Sequence, residues 1–170
     1  PLGGEKIEGN ITEEPYISFV SQFKIPYLYA QTCGELALML NEENMLHKKC
    51  KLTVVKMEGW KRKMTWENTG LEWVVASPHI PHKHSSNFYP ATGILGELGF
   101  VSIGVGYTLP FKIEGAPWIN AEDLANSMNN LHLAGLEFRP IHFKPFYSTF
   151  KDEHCHGIQI HMLDYKKIVV

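Results

Sequence analysis

Glu97 stands in the middle of a run composed unlike the rest of the chain. From Phe88 to Asn120 (FYPATGILGELGFVSIGVGYTLPFKIEGAPWIN), six glycines and three prolines are set among apolar and β-branched residues. Gly104 and Gly106 free the backbone to take φ > 0 or to approach another group closely. Pro110 and Pro117 remove a ladder N–H at their positions. Such a run predicts neither a regular helix nor a long plain strand, but a ligand-facing loop that presents the Glu97 carboxyl. The other reading is a core strand bent by its glycines, with Glu97 pointing to water.

Further groups have types and spacings suited to chemistry. Gly59-Trp60-Lys61-Arg62-Lys63-Met64-Thr65-Trp66 gathers two indoles and three cations. Indole faces stack on sugar rings and other flat apolar faces, and a guanidinium forks a carboxylate. Core packing of Trp66 and Trp73 beside a solvated basic cluster is the competing reading. Ser77-Pro78-His79-Ile80-Pro81-His82-Lys83-His84 places three histidines within six residues. Zinc ligands usually come from helix spacing or paired short loops; here the prolines exclude the helix and no acid or cysteine lies near, so no metal is expected. For His154-Cys155-His156 with His161, a ligand set and a polar strand face both remain open. Glu35 follows Thr32 at the T-x-x-E spacing of a capping box, a structural role that stands beside any chemical one.

Elements must hold these groups. The capping box opens a helix over Cys33–Leu46, in which Leu36, Met39 and Leu40 follow the 3.6-residue period. Leu52–Met57 reads as a short buried strand, and helix followed by strand suggests an α/β sheet. Ligands of open α/β sheets bind outside the carboxyl ends of strands, which is where Trp60 to Trp66 follow. Asn120 starts another helix with Glu122 and Asp123 in its first turn, Leu124, Met128 and Leu131 along one side, and Gly135 as its end. Leu136–Phe143 is a strand that Pro140 confines to an edge or a bulge. Gly157–Asp164 alternates, with Gln159 and His161 on one face. Residues 1–26 are turn-rich, punctuated by Pro15 and Pro26. The glycine- and proline-rich Lys112–Pro117 predicts a domain junction.

A chain of 170 residues, 44% hydrophobic and 20% charged, can bury a core of its own. A net charge of −2 gives no broad basic face and argues against nucleic acid. No apolar run approaches the length of a membrane span. Three cysteines, odd in number and far apart, do not make a disulfide framework, though a single pair stays open. Pro1-Leu2-Gly3-Gly4 opens on a turn, and Ile168-Val169-Val170 closes on an apolar run that wants a strand partner, so the chain reads as a fragment. Oligomeric state is left open.

Taken together, the motifs resemble the NamZ-type exo-β-N-acetylmuramidases. Pro1-Leu2-Gly3-Gly4 is similar to the end of the family's D-R-P-N-P-L-G-G, and Gly34-Glu35-Leu36-Ala37 with Asn41 to its G-E-L-A helix. Leu52 to Val55, Met57, Gly59-Trp60, Arg62, Met64, Trp66, Thr69 to Leu71 and Trp73-Val74 resemble its strand and G-W-x-R-x-M region. Ser77-Pro78 and Pro81 resemble its S-P-N-x-P loop. Tyr89-Pro90, Thr92, Glu97, Ser102, Gly104, Gly106, Thr108, Pro110-Phe111 and Gly115 to Ile119 resemble its Y-P-G-T…E-G-T-N-x-S-x-G-R-G-T-x-x-P-F…G-A-P-W-I signature. Cys155, Gly157, Gln159, His161 and Asp164 are similar to its C-x-G-V-Q-I-H-x-x-D. The pattern is that of a divergent branch: Leu98-Gly99-Phe100 stands where the family has G-T-N, Val105 replaces its Arg, and His79 its Asn. The family's upstream Rossmann-like region with its E-H-G-type segment has no counterpart in these residues.

The resemblance implies an α/β fold: the end of a Rossmann-like catalytic domain over residues 1–113, then the start of a smaller α+β auxiliary domain over 114–170. It implies a glycosidase, secreted or periplasmic, that removes terminal N-acetylmuramic acid from peptidoglycan fragments without metal or organic cofactor; a non-catalytic sugar-binding module on the same scaffold is the alternative. Glycoside hydrolysis needs a carboxylic acid at the leaving oxygen, and a second carboxylate or the substrate's own acetamido group on the other side. Glu97 is implied as the acid, with Ile94, Leu95, Leu98 and Phe100 expected to raise its pKa, and Glu35 as the second carboxylate. Trp60, Trp66 and Trp73 would form the sugar platform and Arg62 would meet the lactyl carboxylate. Ser77, His79, Ser102 and Gly104 complete the expected substrate-binding set.

Overall fold

The computed structural model describes residues 4–169; Pro1 to Gly3 and Val170, with the ends of the expected opening turn and closing run, lie outside the described residues. The fold is mixed α/β, and the chain divides into two compact units, Pro1–Glu72 and Trp73–Val170.

In the N-terminal unit, β1 (Ile7–Ile11) and β2 (Pro26–Tyr29) pair antiparallel, with Ile7 opposite Tyr29 and Glu8 opposite Leu28. Helix α1 (Cys33–Glu42) begins at the expected capping box. The Glu35 N–H donates to Thr32 Oγ1 at 3.2 Å, and the Thr32 N–H donates to Glu35 Oε2 at 2.8 Å. It ends four residues before the expected Leu46. Asn44 takes φ +57, and the Asn41 amide exchanges bonds of 2.9 and 3.1 Å with the Cys50 backbone, which pins the returning chain. Leu52–Met57 is not a strand. Its β-branched residues have no partner strand among the described residues, and a ladder requires one. Val54 instead packs on Gly34, where a Cβ would lie 2.5 Å from Val54 Cγ1. The helix–strand alternation expected here is therefore not formed.

The C-terminal unit holds α2 (Ser85–Leu98), β3 (Ile113–Ala116), α3 (Ala121–Asn130), β4 (Leu136–Phe143) and β5 (Cys155–Met162). The glycine-rich run is thus corrected at its start: residues 88–98 are helix, not loop or strand. Phe88 and Thr92, one turn apart, both face inward. Gly96 is needed for packing, since a Cβ there would lie 2.4 Å from Ile103 Cδ1. Gly99, at φ +74, ends the helix in the left-handed conformation that glycine takes without a Cβ penalty. Gly104 and Gly106 do take positive φ, +79 and +87.

The sheet order is β3-β5-β4, antiparallel throughout, so β4 with Pro140 is an edge strand as expected. Phe138, Ile158 and Ile160 form one core with Phe88 of α2 and Ala125 of α3, backed by Leu124 and Met128. Ile113, Phe143 and Cys155 form a second cluster. Each fully buried Ile or Phe contributes roughly 1.5–3 kcal/mol, so these two clusters hold the unit together. Asn120 caps α3 by accepting from the Asp123 N–H at 3.1 Å. The helix stops at Asn130 rather than at Gly135, which belongs to the turn before β4; a Cβ there would lie 2.4 Å from the Asp164 carbonyl oxygen. The junction expected at 113/114 falls inside β3. Among the described residues no helix is long and apolar enough to cross a membrane.

Candidate functional site

Within the N-terminal unit, Trp60, Arg62 and Glu35 come together. One terminal nitrogen of Arg62 donates to Glu35 Oε1, and the other donates to the Ala30 carbonyl at 2.5 Å. Ala30 takes φ +50, a left-handed turn at the residue whose carbonyl Arg62 meets. The guanidinium lies 5.3 Å from the Trp60 ring centroid, within cation–π range. Both Glu35 oxygens are therefore engaged, one by the Thr32 N–H and one by Arg62, and these bonds hold its carboxyl below the usual carboxylate range. Trp66 opens a short 3-10 helix and donates its indole N–H to the Leu71 carbonyl at 2.9 Å.

Within the C-terminal unit, His79, Glu97 and Ser102 line one cavity of about 240 Å³. Helix α2 supplies Tyr89, Gly93, Gly96 and Glu97, and the segment after it supplies Ser102, Ile103 and Val105. Ser102 exchanges backbone bonds with Gly115 of β3, 2.8 Å from its N–H and 2.9 Å to its carbonyl. Its side chain is 2% exposed, and its hydroxyl has no hydrogen-bond partner among the described residues. A buried hydroxyl left unpaired costs about 1–3 kcal/mol, which a ligand's polar group would offset. His79 arrives on a tight turn in which the Ile80 N–H donates to the Ser77 carbonyl at 2.9 Å and the His79 N–H to Ser77 Oγ at 3.3 Å. Its ring lies nearly parallel to that of Tyr147, with centroids 6.1 Å apart. Ser77 thus shapes the turn without lining the cavity. Gly104 does not line it either; its missing Cβ admits the Leu109 carbonyl, which would lie 2.3 Å away. Trp73, in the same unit, is half-buried.

Glu97 itself is exposed at the end of α2, and Ile94, Leu98 and Phe100 beside it are exposed too. The apolar jacket expected around it is not formed by the described residues. Glu114, on β3, is pushed up to about 7 by desolvation. It lies between the fully buried Ile113 and the buried Gly115, opposite Ile158. Reading Lys112–Pro117 as a junction hid it; the β-branched Ile113 just before it was the available signal. Another arrangement missed from sequence is an exposed side-chain cluster that joins β4, β5 and α3. His142 and His156 are 2.7 Å apart at Nδ1, and His142 Nε2 lies 3.3 Å from Glu122 Oε1. No group of three or more His, Cys, Asp or Glu among the described residues is arranged to hold a metal.

The family description "Exo-beta-N-acetylmuramidase NamZ, N-terminal" matches residues 1–84, and its C-terminal counterpart matches residues 87–169. The chain belongs to the NamZ family. It is 43% identical over 167 residues to the peptidoglycan beta-N-acetylmuramidase NamZ of Bacillus subtilis, covering 98% of this chain and 40% of that protein. A crystal structure of a DUF1343 family protein from Bacteroides fragilis superposes with a TM-score of 0.94 at 64% identity, over 99% of this chain and 44% of that one. A second DUF1343 structure from the same organism gives 0.71 at 26% identity, over 97% and 44%. This chain therefore spans less than half the length of these relatives. His79 and Val105, the two positions expected from the motif resemblance to differ in side-chain chemistry, both line the cavity that Glu97 and Ser102 share.

Proposed function

We propose that this chain forms part of a glycoside hydrolase that removes terminal β-linked N-acetylmuramic acid from peptidoglycan fragments, and that the cavity of its C-terminal unit holds part of the sugar. The observation that carries the reading is the unpaired, buried Ser102 hydroxyl in a cavity shared with Glu97, in a chain of this family. Glu97 is assigned to the leaving oxygen. A substrate seated over it would withdraw the carboxyl from water, the condition that raises a carboxyl pKa and favours proton donation. A second carboxylate or the substrate's acetamido group would act on the other side. Glu35 is assigned to positioning: it holds Arg62, which lies against Trp60. Trp60, Trp66 and Trp73 are assigned to sugar contact. Residues 1–113, which include Glu97, are assigned to the end of a Rossmann-like catalytic domain, and residues 114–170 to the start of a smaller α+β auxiliary domain.

The test is turnover by the full-length protein of a chromogenic β-N-acetylmuramide. Glu97→Gln keeps shape but removes the ionisable proton, so turnover falls by roughly 10²–10⁴-fold while binding of an unreactive sugar changes little. Full activity in Glu97→Gln sinks the assignment. No turnover by the unmutated protein, with binding that Trp60→Ala weakens, is the outcome a non-catalytic module gives.

A further inference from the structure

A second cavity in the C-terminal unit, of about 410 Å³, lies at the start of β3 and the far end of β5, and it takes no part in the assignment above. Its polar lining includes Lys112, Gln159 and His161, and its apolar lining includes Phe88, Ile160 and Met162. The backbone aims Lys112 there deliberately. Phe111 takes φ +66, a left-handed conformation unfavourable for a bulky side chain, and its ring packs edge-on against Tyr89 at 5.0 Å. The Ile160 N–H then donates to the Lys112 carbonyl at 2.8 Å, fixing the next residue against β5. The half-buried Lys112 ammonium lies 5.6 Å from the Phe88 ring centroid and has no carboxylate partner among the described residues. Desolvation holds its pKa below the usual lysine value. Nε2 of His161, on the same wall, is buried without a hydrogen-bond partner.

We propose that this cavity is a carboxylate-binding subsite for a small molecule with an apolar body. One ammonium matches a monoanion, and a planar carboxylate offers one oxygen to Lys112 and the other to His161 Nε2–H or the Gln159 amide. Phe88 and Met162 supply the apolar wall. A carboxylate here would also supply the counter-charge that Lys112 lacks, and that balances its desolvation. A phosphate dianion would carry one charge more than the site neutralises. The inference stands apart from the reading of the Glu97 cavity, and neither depends on the other.

Ligand-observed NMR on the full-length protein tests it with 4-methylpentanoate, its uncharged amide and inorganic phosphate as probes. The acid binds at least about tenfold more tightly than the amide, as one charge-assisted hydrogen bond predicts. Lys112→Met removes that preference, Lys112→Arg keeps it, and His161→Phe weakens binding of the acid. Thermal melts establish that each variant is folded. Equal binding of acid and amide, no binding of either, a preference that survives Lys112→Met, or phosphate binding as tightly as the acid each overturns the proposal.

Discussion

Ser102 and Gly115 exchange both of their backbone hydrogen bonds, at 2.8 and 2.9 Å, although neither lies in a strand pair with the other beyond that single bridge. The exchange fastens the segment that follows α2 onto β3. Gly115 in turn lets β3 lie close to the rest of the sheet: a Cβ there would come within 2.6 Å of Phe143 Cε1 on β4 and 2.7 Å of the His156 carbonyl oxygen on β5. One wall of the Glu97 cavity is thereby carried by the central sheet, and the Ser102 hydroxyl is held in place without a bond of its own.

Ser102→Ala therefore separates stability from binding. Removing a buried hydroxyl with no partner takes away a desolvation penalty, so the unliganded protein gains up to about 1 kcal/mol by chemical denaturation. Affinity for an N-acetylated sugar falls, because the polar contact the hydroxyl would offer is gone. A loss of stability of more than about 1 kcal/mol would mean that the hydroxyl already has a partner in the folded chain.

Glu114 gives the fold a pH dependence whose sign is unusual for a carboxylate. Its ordinary pKa of 4.5 is raised to about 7 by burial, so between those values the folded chain holds a proton that the unfolded chain has released. Stability falls as pH rises through that window and levels off above it. The interval corresponds to on the order of 3 kcal/mol. Glu114→Gln carries no such charge. Its stability relative to the unmutated protein is near equal at pH 4.5 and higher by about 2–3 kcal/mol at pH 8, read from denaturation midpoints at the two pH values. A difference that does not change with pH would show that Glu114 ionises freely in the folded state.

Two glycines with similar φ make a paired test. Gly99 takes φ +74 with open space where a Cβ would stand, so Gly99→Ala meets backbone strain alone, about 1 kcal/mol. Gly106 takes φ +87, and a Cβ there would lie 1.9 Å from the Tyr147 carbonyl oxygen. Gly106→Ala must also displace the long connection between β4 and β5, where the Phe146 N–H donates to the Gly106 carbonyl at 2.8 Å. Its loss is expected to exceed that of Gly99→Ala by about 2 kcal/mol or more in parallel urea titrations. Equal losses would mean that the Tyr147 segment yields without cost.

What the sequence disclosed about this molecule was mostly local. The Thr32–Glu35 box and the Asn120 cap each join residues three positions apart, and the structure forms both as expected. The edge position of Pro140 followed from a missing N–H. Helix α2 was hidden because Gly93, Gly96 and Pro90 look like helix breakers, yet Gly96 answers to Ile103, a contact across the fold. Leu52–Met57 has strand composition but lacks the partner that strand formation needs. Glu35 was legible as a cap but not as the anchor of Arg62, which lies 27 residues away. Of the residues expected at a site, His79, Glu97 and Ser102 line one cavity, while the burial expected around Glu97 is found at Glu114, since burial is set by pairing with β5 rather than by sequence neighbours.

Val105 offers the sharpest test of the sugar site proposed above. It lines the cavity with Glu97 and Ser102 and packs against the larger core cluster, and the motif resemblance sets it where an arginine is expected. An apolar wall there has nothing to offer a lactyl carboxylate. Val105→Arg places a guanidinium in the cavity at a packing cost of roughly 1–3 kcal/mol. N-acetylmuramic acid has a carboxylate to meet it, whereas N-acetylglucosamine has none. A charge-assisted hydrogen bond contributes about 1.5–3 kcal/mol, so the affinity ratio of the acid over the neutral sugar rises about tenfold or more in calorimetric titrations. Packing damage would weaken both sugars together and leave the ratio alone, as would capture of the new guanidinium by Glu97. The Glu97→Gln background removes that second route. A ratio unchanged in both backgrounds would place the lactyl carboxylate somewhere other than this cavity.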